Sequence, residues 1–514
     1  MQGKSTSTDT VSAKNYYHPF LIALFPAANL YAANSTAVEL KDLLLPAIAV
    51  LATTLIVYMA ARFFCSDFEK AALLTSWTIA WFFSYTVLHK LLDYFYRGML
   101  NGDSSVHGEY VLASWGILWL LGISWILKTS RQLQPVNSFL TSMALVLLVI
   151  SAVTVGRQWY SGGRIQWQET PDSWAQQPVV LQKLNQPRDI YFLVFDRYAG
   201  AETLRKHHQL DNNKFLKQLR SRGFQVSEAS CANYPRTILS ICSTLNLSYL
   251  PDETRSDSYY ANMIDNHLVG RSLKDMGYEY HHLGNWYQPL RSNENATKVY
   301  PTTIFPSEYA DSLYAITPLS KVLRVRHKYE FVTEKFRQVA EMTRNEKPTF
   351  VYAHFLVPHS PYVFDRDGSK ISWTETRYGD PKESYIRQLE GTNKLILNTV
   401  DKILQDSDQV PIIILQADEG PYLSQETRKL DRKQQILTRA RILSAFLLPE
   451  LDDETAVPEN LTPVNTFRLI FREYFGADIE LLPDQTYYWD QADQLGRPAS
   501  KNKRYVDVTS LIAE

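Results

Sequence analysis

Residues 189–196 read Asp-Ile-Tyr-Phe-Leu-Val-Phe-Asp, a short apolar run closed at each end by an acidic residue. A continuous run of this length without polar alternation is typical of a β-strand buried on both faces. Two similar runs follow, TFVYAHFL at 349–356 and PIIILQ at 411–416, with helical patterns between them, such as 384–405. Strands that alternate with helices predict an α/β domain with a mostly parallel sheet covered by helices on both faces.

The N-terminal third of the chain is a different kind of polypeptide. Apolar runs of the length needed to cross a bilayer predict transmembrane helices at 43–61, 71–88, 110–127 and 132–156. A fifth run at 20–33 is shorter and contains Pro26 and Asn29, so it predicts either a further span or an interfacial segment. Five spans would place the two termini on opposite sides of the membrane, and four would place them on one side.

These patterns predict an α-helical transmembrane domain followed by a soluble α/β domain. We expect a multi-pass protein of the inner or plasma membrane whose catalytic domain lies on the extracytoplasmic side. The predicted organisation is a membrane domain of about five helices at 1–157, a linker at 158–188, a catalytic domain at 189–450 and a C-terminal segment packed on it at 451–514.

The composition excludes several classes of protein. Lys plus Arg is 53 and Asp plus Glu is 54, so a basic surface for nucleic acid is not expected. Aromatic residues make up 13% of the chain, which excludes disorder for most of it. Three cysteines exclude a disulfide scaffold and a Cys-rich zinc module. Cys231 and Cys242 lie eleven positions apart in an extracytoplasmic region and predict either a disulfide or two buried thiols.

Polar residues follow the predicted strands where each one ends. Asp196 follows the first strand, His354 and His359 lie at and after the second, and Asp418-Glu419 follow the third. Ligands of parallel sheets bind beyond the carboxyl ends of the strands. Carboxylates together with the hydroxyl of Thr237, near an expected helix start, would form a hard oxygen cage for a divalent cation that activates the hydroxyl. Taken singly, each residue also fits an ordinary role as a helix cap, a turn residue or a core histidine.

Taken together, the segments NYPRTILSICSTLN, HFLVPHSPYVFD and IILQADEGPY resemble a known family. The chain is similar to the membrane-anchored sulfatase-like proteins of the alkaline phosphatase superfamily, the relatives of lipoteichoic acid synthase and of phosphoglycerol and phosphoethanolamine transferases. The resemblance implies an alkaline-phosphatase-like α/β/α sandwich with a metal-assisted Thr or Ser nucleophile. The formylglycine signature Cys-x-Pro/Ala-x-Arg is absent, so an ordinary sulfatase mechanism is not expected.

The resemblance also implies roles for individual residues. It makes Thr237 the nucleophile. A divalent metal, expected to be Mn or Mg rather than Ca or Zn, would bind to Asp196, Thr237, Asp418 and Glu419. The residues expected to bind substrate are His359, His354, Trp286 and Arg291. The chain departs from the pattern at two positions: Glu419 stands where many relatives have His, and Arg197 stands where relatives often have a second Asp. An all-oxygen ligand set is less suited to zinc.

The function that follows is an envelope transferase. It would move a phospho-group, phosphoglycerol or phosphoethanolamine, from a membrane-lipid donor to a glycan or lipid acceptor through a covalent Thr237 intermediate. One alternative is a phosphodiesterase or phosphatase with the same site, because exclusion of water decides between transfer and hydrolysis. Another is a non-catalytic sulfatase-like component of polysaccharide assembly, which the Glu419 departure favours.

Overall fold

A computed structural model describes residues 16–35, 38, 40–99, 108–160, 179–182, 184, 186–250, 257–285, 287–300, 308–372, 375, 380–424, 426–451, 457–490 and 505–513. The chain divides into two compact units. The first comprises Met1–Ile165 with Phe305–Val322, and the second comprises Gln166–Ile304 with Leu323–Glu514.

The first unit is helical. Its helices are α1 His18–Asn34, α2 Leu40–Phe64, α3 Phe68–Met99, α4 Gly108–Lys128, α5 Gln134–Tyr160 and α11 Glu308–Ala315. In the described part of the chain, four helices are long and apolar enough to cross a membrane, at Leu40–Phe64, Phe68–Leu92, Val111–Lys128 and Gln134–Gln158. The predicted membrane domain is thus helical with four such helices.

The fifth predicted span forms a helix of 17 residues, α1, which does not reach that length. It packs against α2, α3 and α5, and its buried His18 bonds through Nδ1 to Ser76 Oγ at 2.6 Å and through Nε2 to Asn137 Oδ1 at 2.8 Å. The short helix α11 comes from a point far along the sequence and packs against α1 and α2. Tyr309 on α11 donates its hydroxyl hydrogen bond to the Ala27 carbonyl at 2.6 Å.

The second unit contains a sheet whose strands are ordered β2-β7-β6-β1-β5-β3-β4. Their bounds are β1 Ile190–Phe195, β2 Phe224–Val226, β3 Glu279–Leu283, β4 Lys298–Val299, β5 Thr349–Phe355, β6 Ile412–Ala417 and β7 Ser444–Leu447. β1 pairs in parallel with both β5 and β6, and β3 pairs in parallel with β5 and β4. β7 is antiparallel to both of its neighbours, β2 and β6, and the other strand pairs described in this sheet are parallel. The predicted, mostly parallel α/β sheet is therefore confirmed.

Successive strand residues point to opposite sides of a sheet. Because the central strands are continuous apolar runs, this sheet is apolar on both faces. Phe192, Phe350 and Ile414 belong to one buried cluster, and Leu193, Val351 and Leu415 belong to the other. The helices that cover it are α6 Ala201–His208, α7 Asn213–Arg220, α8 Thr237–Leu245, α9 Asp257–Asp265, α10 Leu268–Asp275, α12 Ser320–Ala340, α13 Pro381–Asp406, α14 Arg432–Ala440 and α15 Thr466–Phe475.

The C-terminal segment completes the first of these clusters. Phe467 on α15 stacks edge-on against Phe192 and Phe350 of the sheet, with ring centroids 5.2 and 5.8 Å apart. The small hairpin β8 Tyr487–Trp489 and β9 Tyr505–Asp507, followed by α16 Thr509–Ala513, contributes Trp489 and Tyr505 to the same cluster. The aromatic side chains of this segment therefore cover apolar surface that the sheet would otherwise expose.

Candidate active site

Two aspartates leave the sheet side by side. Phe195 pairs with Ala417 in the last register of β1 and β6, and Asp196 and Asp418 are the next residue on each strand. Both side chains are buried, with 5% and 1% of their surface exposed. The Asp196 N–H donates to the Phe355 carbonyl at 2.9 Å, which fixes this strand end against β5. Adjacent parallel strands thus bring the two carboxylates together, as their positions in the sequence predicted.

Three buried polar atoms of this cluster have no hydrogen-bond partner among the described residues. They are Asp196 Oδ1, Asp418 Oδ2 and His354 Nε2. Asp418 Oδ1, by contrast, accepts from the Glu419 N–H at 2.8 Å and the Arg197 N–H at 3.3 Å. Buried polar atoms are nearly always paired, so an unpaired group of three indicates a place where a ligand binds.

The two carboxylates differ in acidity. Burial raises the pKa of Asp196 well above its ordinary value, and the negative charge of Asp418 raises it further. Burial also acts to raise the pKa of Asp418, but the nearby side chains of His354 and Thr237 outweigh it and hold that pKa below its ordinary value. Two desolvated carboxylates this close cannot both be charged without a compensating cation or proton. Asp418 therefore carries the negative charge, and Asp196 is the residue that needs compensation.

Thr237 is the first residue of α8. The preceding residue, Arg236, has an extended backbone and its guanidinium bonds both carboxylate oxygens of Asp257 at 2.7 and 2.6 Å. Thr237 is therefore not the N-cap, and its half-buried side chain is near enough to Asp418 to help hold the pKa of that carboxyl group below its ordinary value. A hydroxyl at a helix N-terminus lies in the positive end of the helix dipole, which favours a phosphoryl group or an alkoxide there.

His354 presents a donor to this cluster. The Asn285 amide oxygen accepts from the Tyr287 N–H at 2.8 Å, so the Asn285 amide nitrogen is the group that faces His354 Nδ1. His354 therefore carries its proton on Nε2, which lies 3.7 Å from Asp418 Oδ2. In this tautomer His354 donates to a carboxylate or a phosphoryl oxygen and does not ligate a metal through Nε2.

His359 has the opposite polarity. Its Nδ1 bonds the Ser360 carbonyl, which can only accept, so Nδ1 carries the proton and Nε2 is a bare acceptor. Burial, with the nearby Arg197 and Lys328, lowers the pKa of His359 to about 3, so the ring is neutral at physiological pH. The sequence predicted a phosphate contact here, whereas a neutral ring with a bare Nε2 is better suited to accept a hydrogen bond from a hydroxyl and to orient it.

Both carboxylate oxygens of Glu419 already accept hydrogen bonds from other side chains. Its Oε1 accepts from Arg197 Nε at 3.2 Å, and its Oε2 accepts from Arg439 at 2.7 Å. The next residue, Gly420, lets the two chains meet, because a Cβ there would lie 2.6 Å from the Arg439 carbonyl oxygen. The placement of Glu419 therefore differs from the predicted ligand role, since both of its carboxylate oxygens already bond guanidinium groups.

The remaining predicted residues are placed less directly. Trp286 lies outside the described residues. Arg291 follows a 3-10 turn at Gln288–Leu290 and is half-buried, and its contact with substrate stays a prediction. Cys231 and Cys242 are free, buried thiols rather than a disulfide, and Cys242 lies within α8 with its sulfur 3.9 Å from that of Met263.

Sequence reasoning missed three cationic residues around the site. Arg197 was noted only as a departure, although its position directly after Asp196 was a signal. Arg439 lies on α14, far from the strand ends in sequence, and nothing near it in the chain indicated its role. Lys335 on α12 is buried and donates to the His354 carbonyl at 2.7 Å and to the Gly284 carbonyl, while burial lowers its pKa to about 7. It joins the ends of β3 and β5, which hold Asn285 and His354.

The residues present fit a divalent cation only in part. In the part of the chain that the structure describes, no group of three or more His, Cys, Asp and Glu side chains is arranged to hold a metal. Asp196 and Asp418 each keep an unpaired oxygen, and Thr237 lies near Asp418. Two carboxylates and a hydroxyl suit a cation such as magnesium, which takes its other ligands from water and substrate phosphate.

Comparisons with known proteins show what this domain is similar to. Residues 201–448 match the family model described as Sulfatase. This stretch of the chain is therefore similar to the sulfatase family, which confirms the predicted resemblance. No curated protein matches the chain.

Solved structures that match the chain include the C-terminal periplasmic domain of EcEptC from Escherichia coli, at 11% identity and TM-score 0.41, covering 65% of this chain and 96% of that one. The same domain in complex with Zn matches at 12% identity and TM-score 0.41, with the same coverage. The integral membrane protein lipooligosaccharide phosphoethanolamine transferase A from Neisseria meningitidis matches at 11% identity and TM-score 0.35, covering 88% of this chain and 94% of that one.

Proposed function

We propose that this protein is an envelope phospho-group transferase that acts through a covalent Thr237 intermediate. Its donor is a membrane phospholipid and its acceptor is a hydroxyl of a glycan or a lipid, and its sulfatase domain lies on the extracytoplasmic side of the inner membrane. One observation carries the proposal: the half-buried Thr237 is the first residue of a helix and lies near the buried Asp418 at the carboxyl edge of the sheet. Four membrane-capable helices in the same chain favour a lipid donor.

In the first half-reaction the Thr237 oxygen attacks the phosphorus of the lipid headgroup. An Oγ1–P bond forms as the Thr237 hydroxyl loses its proton to solvent, the P–O bond to diacylglycerol breaks, and the departing alkoxide takes a proton from solvent. Asp418 lies near Thr237, and in the reacting complex its free oxygen would accept the hydrogen bond of the Thr237 hydroxyl and hold the proton away from the attacking lone pair. A cation held by Asp196, Asp418 and Thr237 would supply positive charge that lowers the pKa of this hydroxyl.

In the second half-reaction an acceptor hydroxyl attacks the same phosphorus and Thr237 departs. The bare Nε2 of His359 accepts a hydrogen bond from the incoming hydroxyl and orients it, because its Nδ1 is committed to the Ser360 carbonyl, and the proton of that hydroxyl passes to the departing Thr237 oxygen. The Nε2–H of His354, beside Asp418, is a donor for a phosphoryl oxygen. Water at the position of the acceptor would give hydrolysis instead.

The proposal is tested by trapping the intermediate. The full chain in detergent is incubated with phosphatidylethanolamine or phosphatidylglycerol without an acceptor, digested and analysed by mass spectrometry. We expect a phosphoethanolamine or phosphoglycerol adduct on the peptide with Thr237 that is absent in Thr237→Ala and present in Ser240→Ala, whose buried hydroxyl lies one turn along the same helix. An adduct in neither protein, with no product, would reject the function, and release of free headgroup at the same rate with and without acceptor would make the protein a hydrolase.

A further inference from the structure

Five charged groups, four of them buried and one half-buried, meet at the carboxyl ends of β1 and β6. Three are acidic, Asp196, Asp418 and Glu419, and two are basic, Arg197 and Arg439. Their formal sum is one negative charge, from three carboxylates and two guanidiniums. Because the cluster is desolvated, how these charges pair decides what else can bind there.

The pairing divides the acids into two kinds. Glu419 has its two oxygens on two different guanidinium groups, and its side chain is 4% exposed. Asp196 and Asp418 each keep one buried oxygen without a hydrogen-bond partner among the described residues. A carboxylate whose two oxygens already bond buried arginines must lose one of these bonds before it can ligate a metal, and that loss leaves a buried charge unpaired.

Both guanidinium groups are held in place by contacts outside the carboxylates. Arg197 has a left-handed backbone, with φ of 64°, and its guanidinium carbon lies 3.4 Å from the centre of the Tyr422 ring. Arg439 donates to the Gly420 carbonyl at 3.0 Å and to the Pro235 carbonyl at 3.1 Å. These anchors keep the two cations beside Glu419, so the pairing is part of the fold.

From this geometry we propose that Arg197 and Arg439 remove Glu419 from the cation site, that Asp196, Asp418 and Thr237 alone face the bound cation, and that Arg197 is a fixed positive charge that opposes it. The opposition follows from position, because Arg197 Nε lies 3.8 Å from Asp196 Oδ1, the oxygen that has no other partner. The proposal rests on the proposed function only in taking Asp196 and Asp418 as the groups that bind the cation.

Two consequences follow for the cation itself. A site of two carboxylates and a hydroxyl leaves most of the coordination sphere to water and substrate phosphate, which suits magnesium or manganese and binds weakly without substrate. A nearby guanidinium also offers the phosphoryl group a charge that does not depend on metal concentration. Arg197 therefore supplies, in this chain, part of the positive charge that acts on the phosphoryl group. In a site with a further metal ligand, the metal ion would supply that charge.

The test measures Mn²⁺ binding to the full chain in detergent by calorimetry, without substrate. Replacing Arg197 and Glu419 together, in Arg197→Asn/Glu419→Gln, removes one positive and one negative charge, and Asn tolerates the left-handed backbone at 197. We expect this variant to bind Mn²⁺ within about threefold of the wild type, whereas Asp418→Asn loses about a hundredfold or more. Asp211→Asn and Arg205→Asn, which change exposed residues on the same domain, serve as charge-matched controls.

Arg197→Asn alone gives the second, independent reading. It removes the opposing charge and releases one oxygen of Glu419, so we expect Mn²⁺ to bind about tenfold more tightly. A hundredfold loss in the double variant would make Glu419 a ligand and overturn the proposal. So would unchanged or weaker binding in Arg197→Asn, or no Mn²⁺ binding by the wild type. Loss of transferase activity with these binding results intact would reject the proposed function alone.

Discussion

The strand β1 is flanked by an aspartate on each side, and these two aspartates have opposite roles. Asp189, just before β1, accepts a hydrogen bond from the Thr349 N–H at 2.7 Å and so joins β1 to β5. Asp196, just after β1, has an oxygen with no partner and a second buried carboxylate beside it. Burial raises the pKa of both, to about 6 for Asp189. A structural acid is thus satisfied by backbone, whereas the acid at the binding edge keeps an oxygen available.

The largest expected effect breaks the chemistry at the carboxyl edge. Thr237→Ala should lower phospho-group transfer by about a thousandfold or more, because no other hydroxyl takes its place at the start of α8. Transfer is measured with a fluorescent phosphatidylethanolamine or phosphatidylglycerol donor and a glycan acceptor. Ser240→Ala, one turn further on, should stay within a few-fold. Full activity in Thr237→Ala would point to another nucleophile or to no covalent step.

The second effect compares the two aspartates directly. Asp196→Asn should lower transfer by about a hundredfold, while its melting temperature stays equal or rises because a buried repulsion with Asp418 is relieved. Asp189→Asn should keep transfer within about twofold, since the Asn oxygen still accepts from Thr349. Equal losses of activity in the two variants would remove the distinction between the two ends of the strand.

A smaller effect is expected at His359. His359→Gln should slow transfer by about ten- to a hundredfold and cause the Thr237 adduct to accumulate, because its Nε2 acts in the second half-reaction. Since burial lowers the pKa of His359 to about 3, the ring should not produce a titration step in transfer rate between pH 5 and 8. The adduct is followed by mass spectrometry. A variant that forms less adduct than the wild type would place His359 in the first half-reaction.

The strand-end residues could be predicted because register follows from local pattern. Asp196 and Asp418 both directly follow apolar runs, and parallel pairing of those runs places them side by side. The state of Glu419 could not be predicted in this way. Its partner Arg439 comes from α14, and no periodicity in the sequence relates α14 to the end of β6. Pairing of buried charges depends on tertiary placement, so it becomes visible only when the helices are in position.

The same limit applies to the membrane unit. Hydropathy located the four helices that are long enough to cross a bilayer, since length and apolarity are properties of a continuous segment. It did not show that Phe305–Val322 belongs with them. This segment contains the helix α11, only eight residues long, which lies between two stretches of the soluble unit in sequence. Short helices without an extended apolar run leave no signal that distinguishes them from helices of the soluble domain.

The smallest expected effect sharpens the comparison at the amino end of β1, through stability. Because the folded pKa of Asp189 is raised to about 6 from 3.8, the folded state binds more protons than the unfolded state between these values. Stability is then lost as pH rises through this window, by about 3 kcal/mol from this residue at most. Asp189→Asn cannot ionise but still accepts from Thr349, so its melting temperature should fall less between pH 4 and 7, by about 5 °C. Thermal unfolding of the full chain in detergent measures both curves, and their difference isolates residue 189 from the other groups that titrate.

Asp189→Ala is the matched control: it also cannot ionise, but it leaves the Thr349 N–H without its acceptor, so it should melt lower than Asp189→Asn at every pH. Parallel curves for wild type and Asp189→Asn would show that Asp189 is not the source of the slope.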